Sequence, residues 1–269
     1  MGVMLSIFLV LSSFLSKEDT RTSFDECFNQ NTSFQDGEVL LYRIYYNWNL
    51  VWVPAGEVKF TMRETNDAYH YEAIGKSYSS YESIFRVNDY YASSIDKTTM
   101  LPKTFVRHIE EGNYRKFDSL TFDQAALTVH SINGKTKAKA HEKSFDIDGC
   151  ALDLLSVMYS LRNENIDEYN KGDYLDINMF FDKENYPVHV VYDGKERKKV
   201  RGLGTFDCIR VQPELIAGNV FNEGDEMNIW VTDDQNKIPV MIETPISVGS
   251  IKAVLLKHKG LRHESELDK

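Results

Sequence analysis

Cysteine is scarce in this sequence: Cys27, Cys150 and Cys208 are the three among 269 residues. None forms a C-x-x-C pair, so the sequence reads neither as a disulfide-built scaffold nor as a structural zinc site. In an oxidising compartment one pair could bridge. Cys27 with Cys150 is the expected pairing, because each immediately precedes a structured segment. Cys208 alternates with Phe206 and Arg210 in a strand pattern and is expected to be buried as a small apolar residue. Long apolar runs are lacking as well. The one at residues 3–15, VMLSIFLVLSSFL, is about 13 residues, short of the roughly 20 that span a bilayer. That length suits the core of a signal peptide, so residues 1–16 read as an export signal with no membrane span in the mature protein. No basic residue precedes the run, the first being Lys17, and no Ala-x-Ala cleavage site follows it. The alternative is a buried N-terminal strand or helix.

Positive charge is also in deficit. A net charge of -10 repels phosphate backbones, which excludes nucleic acid as a non-specific partner. The densest basic run, residues 195–201, lies beside an Asp-Gly pair and reads as the solvated face of a hairpin.

Catalytic motifs are missing in turn. Gly134-Lys135-Thr136 ends like a phosphate-binding loop, but Val129 stands where the earlier glycine is required. Gly202-Leu203-Gly204 lacks the third glycine of a dinucleotide fingerprint, with Asp207 in its place. His141-Glu142 returns no second histidine one helical turn later, so no metal site is read. There is no G-x-S-x-G, and Ser156 with Asp153 has no base nearby in sequence. Adjacent carboxylates such as Glu110-Glu111 and Asp233-Asp234 point to opposite faces of a strand and cannot share a substrate. Neither a catalytic residue nor a cofactor is assigned.

What the sequence does have is β-forming character, including 15 Tyr and 15 Phe, in short segments punctuated by turn residues about every ten positions. Val58, Phe60 and Met62 alternate with polar residues, which places one strand face on a core. Met227, Ile229 and Val231 repeat the pattern. Asn133-Gly134 and Asp193-Gly194 predict two-residue hairpins. Looser turns are expected at residues 66–67, 111–113, 222–224 and 233–237. One segment breaks the rhythm. Residues 151–163, ALDLLSVMYSLRN, predict a helix capped by Asp148 with Arg162 at its C-terminal end. Its apolar residues cover nearly every side, so it should be enclosed by other structure. The expected fold is mainly β, a strongly curved antiparallel sheet or incomplete barrel wrapped around this one helix. Residues 17–35 read as a polar arm, 36–260 as a single β domain and 261–269 as a frayed tail.

Aromatic residues crowd the stretch Tyr42, Tyr45, Tyr46, Trp48 and Trp52, and Trp230 lies in a late strand. Core packing accounts for most of them; the rest could line an apolar pocket or stack on sugars.

Three sets of residues resemble a family of exported bacterial proteins grouped as domain of unknown function 3108. They are Gly37 to Tyr42 followed by Trp48, Val51-Trp52 and Ala55-Gly56; Asp153-Leu154-Leu155-Ser156 with Tyr159 and Arg162; and Thr232-Asp233-Asp234 leading to Ile238-Pro239-Val240. The resemblance implies a periplasmic or cell-envelope location and a fold similar to the curved sheet and helix of periplasmic lipoprotein carriers. It supplies no catalytic residue. The functional expectation is a non-enzymatic binder of a lipid or acyl chain, with Trp48, Trp52, Leu155, Met158, Tyr159 and Trp230 as its ligand-binding residues. An envelope module that recognises a partner protein is the alternative, and a polysaccharide-acting enzyme is a third reading.

Overall fold

A computed structural model describes residues 30–48, 51–83, 85–214, 226–245 and 249–268. The first eight strands are β1 (Val39–Trp48), β2 (Val51–Glu64), β3 (Ala68–Ser77), β4 (Asn88–Asp96), β5 (Pro102–Glu111), β6 (Tyr114–Asp123), β7 (Thr128–Gly134) and β8 (His141–Asp146). Helix α1 (Leu154–Leu161) follows. Then come β9 (Tyr174–Phe181), β10 (Glu184–Val200), β11 (Gly204–Pro213), β12 (Asn228–Thr232), β13 (Pro239–Pro245) and β14 (Ser250–Lys259).

All fourteen strands belong to one antiparallel sheet in the order β8-β7-β6-β5-β4-β3-β2-β1-β14-β13-β12-β11-β10-β9. Two meanders, each built from neighbours in sequence, are therefore joined where β1 pairs with β14. Among the described residues the ladder does not close. Its two edges are β8 and β9, and the helix lies between them in the chain. The β9 edge is covered by the segment leading into α1. Leu152 N donates to Asn178 O at 2.8 Å, Phe180 N donates to Leu152 O at 2.9 Å, and Asn178 Nδ2 donates to Gly149 O at 2.7 Å.

The curved sheet with one α-helix among the described residues agrees with the fold read from the sequence, but the helix is shorter than expected and is not enclosed on every side, Leu154 being 40% exposed. Asp153, not Asp148, is its N-cap. The Asp153 carboxylate accepts from Leu155 N and Ser156 N, and Ser156 Oγ accepts from Asp153 N at 2.7 Å. This reciprocal box fixes the start at Leu154. One side of α1, with Leu155 and Tyr159 buried and Met158 partly so, joins a core of Phe34, Met62, Tyr71, Ile95, Phe105 and Phe180. The other side sets Val157 and Leu161 against Leu152, Ile177, Val188 and Val190. A third cluster, with Leu40, Tyr42, Phe206, Trp230 and Ile238, fills the region of the β1–β14 join.

Several local expectations change. Asn133-Gly134 is no tight hairpin: β7 continues through it, a 3-10 turn at Lys137–Lys139 follows, and β8 starts at His141. Glycine is needed there for close approach, since a Cβ at residue 134 would lie 2.5 Å from Lys139 O. Asp193-Gly194 is not a turn either, because β10 runs unbroken from Glu184 to Val200. Gly194, at φ 101°, takes up a bulge where the register against β11 shifts. In β12 it is Trp230 and Thr232 that are buried, whereas Met227, Ile229 and Val231 are half-buried. The large indole fills the third cluster and sets the strand's phase. The turns at 66–67, 111–113 and 233–237 are present, and that at 222–224 lies outside the described residues.

The ends of the chain are also tied down more firmly than their polarity suggested. Phe34, read as part of a polar arm, is fully buried and meets Tyr69, Tyr71 and Tyr159 edge-on at 5.2–5.6 Å. The tail read as frayed is anchored to the turn at 233–237. His263 N donates to Asn236 Oδ1 at 2.9 Å and Ser265 Oγ to Asp234 Oδ2 at 2.6 Å, while Leu261 and Leu267 rest on the third cluster. Polar residues order where a fixed set of partners repays their lost entropy.

Candidate functional site

The residues expected to bind a ligand do not converge. Leu155, Met158 and Tyr159 belong to the core around the helix. Tyr159 is stacked on Tyr71 with ring centroids 3.7 Å apart. Trp230 belongs to the third cluster, where its Nε1 donates to Glu196 and Lys198 Nζ lies 3.3 Å above its ring. Trp52 is half-buried beneath Lys252, whose Nζ is 4.1 Å from the ring centroid. The side chain of Trp48 lies outside the described residues, as does Cys27, and with it the Cys27–Cys150 pairing. Cys208 is buried as expected, and burial pushes its thiol up to about 12.

Most residues that carry the family resemblance hold the fold together. Arg162 is buried at the end of α1 and donates Nη1 and Nη2 to the two oxygens of Glu38, both at 2.7 Å. Its Nε donates to Asn236 O at 2.9 Å. Desolvation opposes the guanidinium charge, but the Glu38 bonds outweigh it and raise the group's pKa. Asp153 receives Ser93 Oγ at 2.5 Å as well as its capping bonds. Burial pushes its carboxyl up to about 6 despite those bonds.

Another set of polar residues gathers at one end of the helix-bearing face. Ser93 touches Asp153, so Tyr91 and Asp89, two and four residues earlier on β4, share that face by strand alternation. Directly opposed pairs extend the row across the sheet: Tyr91 with Arg107, Arg107 with Asp118, and Asp118 with Asn133. Arg107 is buried and donates to Asp118 Oδ2 at 3.1 Å and to Asp182 at the tip of the β9–β10 hairpin. Its guanidinium also lies 4.4 Å from the Phe181 ring centroid. Lys116 holds Asp182 from the other side. Burial opposes ionisation of Asp182, yet Lys116 and Arg107 outweigh it and keep the carboxyl below its ordinary range. Asp182 and Lys183 both have positive φ, 48° and 74°, a conformation that costs non-glycine residues and that these contacts hold in place. Asp118 Oδ1 and Asn133 Nδ2 are buried without a protein partner, one an acceptor and one a donor open to a complementary group.

At the outer end of this row two carboxyls face each other. Burial raises both Asp89 and Glu111, and their mutual repulsion and shared hydrogen bond take Glu111 to about 7. Asp89 Oδ1 also accepts from Glu110 N at 2.9 Å. Tyr114, opposite Glu111 in the ladder, and Phe85, which lies over Gly112, are each 54% exposed. Perturbed carboxyls, unpartnered buried polar atoms and exposed aromatic rings thus coincide at one end of the sheet, which makes this the candidate site. Motif searching missed it, although Ser93, Arg107 and Asp118 fall in phase with the apolar Ile95, Phe105 and Leu120. Polar residues at inward positions are the signal that could have found it.

Two surface depressions lie elsewhere. One, of about 530 Å³, is lined by residues of β2 to β5 including Lys59, His70 and Thr104; the other, of about 630 Å³, surrounds the turn at residues 199–205. Neither includes a residue of α1. Among the described residues no helix is long and apolar enough to cross a membrane, and no group of three or more His, Cys, Asp or Glu side chains could hold a metal ion.

A family model described as protein of unknown function (DUF3108) matches residues 41–256. A comparison with curated proteins finds no match. Among solved structures, the beta-barrel-like protein of domain of unknown function DUF1849 from Brucella abortus is similar at 10% identity and a TM-score of 0.54. The alignment covers 84% of this chain and 98% of that one, and the likeness is one of fold. A protein with YmcC-like fold from Bacteroides fragilis NCTC 9343 is aligned over 87% of this chain and 99% of its own, at 12% identity. Its TM-score of 0.34 supports no argument.

Proposed function

The chain belongs to the DUF3108 family of proteins of unknown function, and from that premise we propose that it is an exported, non-enzymatic cell-envelope protein that recognises a partner protein. The recognition surface is the polar end of the helix-bearing face, at Phe85, Asp89, Glu111 and Tyr114. Export is supported by the apolar segment at residues 3–15, whose length matches a signal-peptide core.

One observation carries the choice between recognition and lipid carriage: both apolar sides of α1 are in contact with packed side chains. An acyl-chain groove along the helix needs roughly 300 Å³ of open space, and neither depression described above is lined by a residue of α1. What this end of the sheet offers to a partner is instead a pair of exposed aromatic rings beside the buried Asp89 and the half-buried Glu111, a combination suited to protein interfaces.

Native mass spectrometry of the full chain purified from its own envelope tests this reading, comparing wild type with a Phe85→Ser/Tyr114→Ser variant. The expected result is a stoichiometric protein partner on the wild type that the variant loses while its circular dichroism is unchanged. A bare wild-type chain, or a lipid carried equally by both, overturns the reading.

A further inference from the structure

The two edges of the sheet are treated differently, and the difference points to a second binding surface. Edge strand β9 is covered by the chain's own residues 149–152. No strand among the described residues pairs with the outer edge of β8. In an antiparallel ladder every second residue turns its N–H and C=O away from its one neighbour. β8, His141–Asp146, is roughly 20 Å long, and its alternate residues Glu142, Ser144 and Asp146 turn outward. Asp146 O accepts from Asn185 Nδ2 at 3.0 Å, so the open part of the edge is at Glu142 and Ser144. All residues of β8 but Phe145 are exposed.

The charge around this edge runs against that of the molecule. Lys135, Lys137, Lys139 and Lys143 lie on β8 or the turn leading into it, and all four are exposed. None of them forms a salt bridge with a described residue. Within residues 135–146 these four lysines face only Glu142 and Asp146 as acidic residues, in a chain of net charge -10. A second copy of the chain is the competing occupant: in an antiparallel β8–β8 pair the turn lysines of one copy come beside the Asp146 end of the other, so that pair brings charges of both signs together. An acidic strand from a partner would set its carboxylates beside Lys135, Lys137 and Lys139, and beside Lys143, whose Nζ lies 4.8 Å from the Phe145 ring centroid, while its backbone extends the ladder.

We propose that β8 is a docking edge for an extended acidic peptide segment of a partner protein, bound by strand addition. The lysines select for negative charge in the incoming strand. This surface is separate from the one at Phe85 and Tyr114 and does not depend on it.

The test uses the full chain and a fluorescent blocked octapeptide, (Val-Glu)4, read by anisotropy. Expected are saturable binding, weakening by about tenfold or more in Lys135→Glu/Lys137→Glu/Lys139→Glu, and loss of binding at high salt. Two N-methylated versions separate strand addition from plain charge attraction. Methylating one alternate set of backbone nitrogens should abolish binding, and methylating the other should leave it, because only one set faces the edge. The Phe85→Ser/Tyr114→Ser variant should bind the peptide as the wild type does. Equal binding of both methylated peptides, unchanged binding by the charge-reversed variant, tighter binding to anionic vesicles than to peptide, or a peptide-free dimer in light scattering would each overturn the proposal.

Discussion

Replacing Glu38 by Gln isolates the ion pair on which several parts of the chain converge. Glu38 is 0% and Arg162 2% exposed, and two bonds of 2.7 Å join them. Ser33 Oγ donates to Arg162 O, so the same contact holds the N-terminal segment to the helix end. The substitution leaves the guanidinium buried and short of its anion, which costs about 3–5 kcal/mol when a buried pair loses one member. With a urea slope of roughly 3 kcal/mol per molar, the unfolding midpoint should fall by about 1 to 1.7 M. Arg162→Met should cost at least as much, since the bond to Asn236 O goes too. The double variant Glu38→Gln/Arg162→Met should be more stable than the sum of the singles implies, by about 2 kcal/mol, because no unpaired charge remains. Chemical unfolding followed by far-UV circular dichroism measures all three. Midpoints of the two single variants within about 0.3 M of wild type would refute the assignment of this pair as the lock between the helix end, β1 and the 233–237 turn.

Two further outcomes follow from the same physical reasoning. Asp153 and Glu111 are carboxyls raised by burial, to about 6 and about 7. Their contribution to stability is therefore full below the ordinary carboxyl range and is lost as pH rises through those values. Thermal unfolding should show this contribution falling between about pH 4 and 7, from the ordinary carboxyl range up to the raised values. Glu111→Gln should flatten the part above pH 6 and raise stability at pH 8 by about 1 kcal/mol, allowing for solvent screening of a half-exposed carboxyl; an unchanged pH profile would contradict the Asp89–Glu111 proton sharing. For the cysteines, peptide mapping without reduction should join the Cys27 and Cys150 peptides. Cys208 should alkylate only after unfolding, because it is buried with a raised thiol pKa. A Cys208 that reacts in the native protein would count against its packing.

Local periodicity made the strand class legible, along with the position of the helix and the turns at 66–67, 111–113 and 233–237. It failed where the backbone's surroundings decide. Gly194 follows Asp193 as in a two-residue turn, but β10 is paired on both sides and the glycine becomes a bulge. Asp148 looks like a cap from one dimension, yet only Asp153 has Ser93 and Ser156 beside it. The expected ligand-binding set was scattered because an apolar helix and large aromatic residues are also what a filled core requires, and composition does not separate a lined pocket from a packed one.

By itself the sequence determined the mainly β architecture and the position of the one α-helix among the described residues, because these depend on patterns of neighbouring residues. Only the tertiary structure decided which edge of the sheet is covered and that Arg162 meets Glu38 across 124 positions of chain. The polar row from Asp89 to Asn133 was also beyond the sequence. Each of those features brings together residues far apart in the chain, and long-range pairing is fixed by packing and register, which no local pattern encodes.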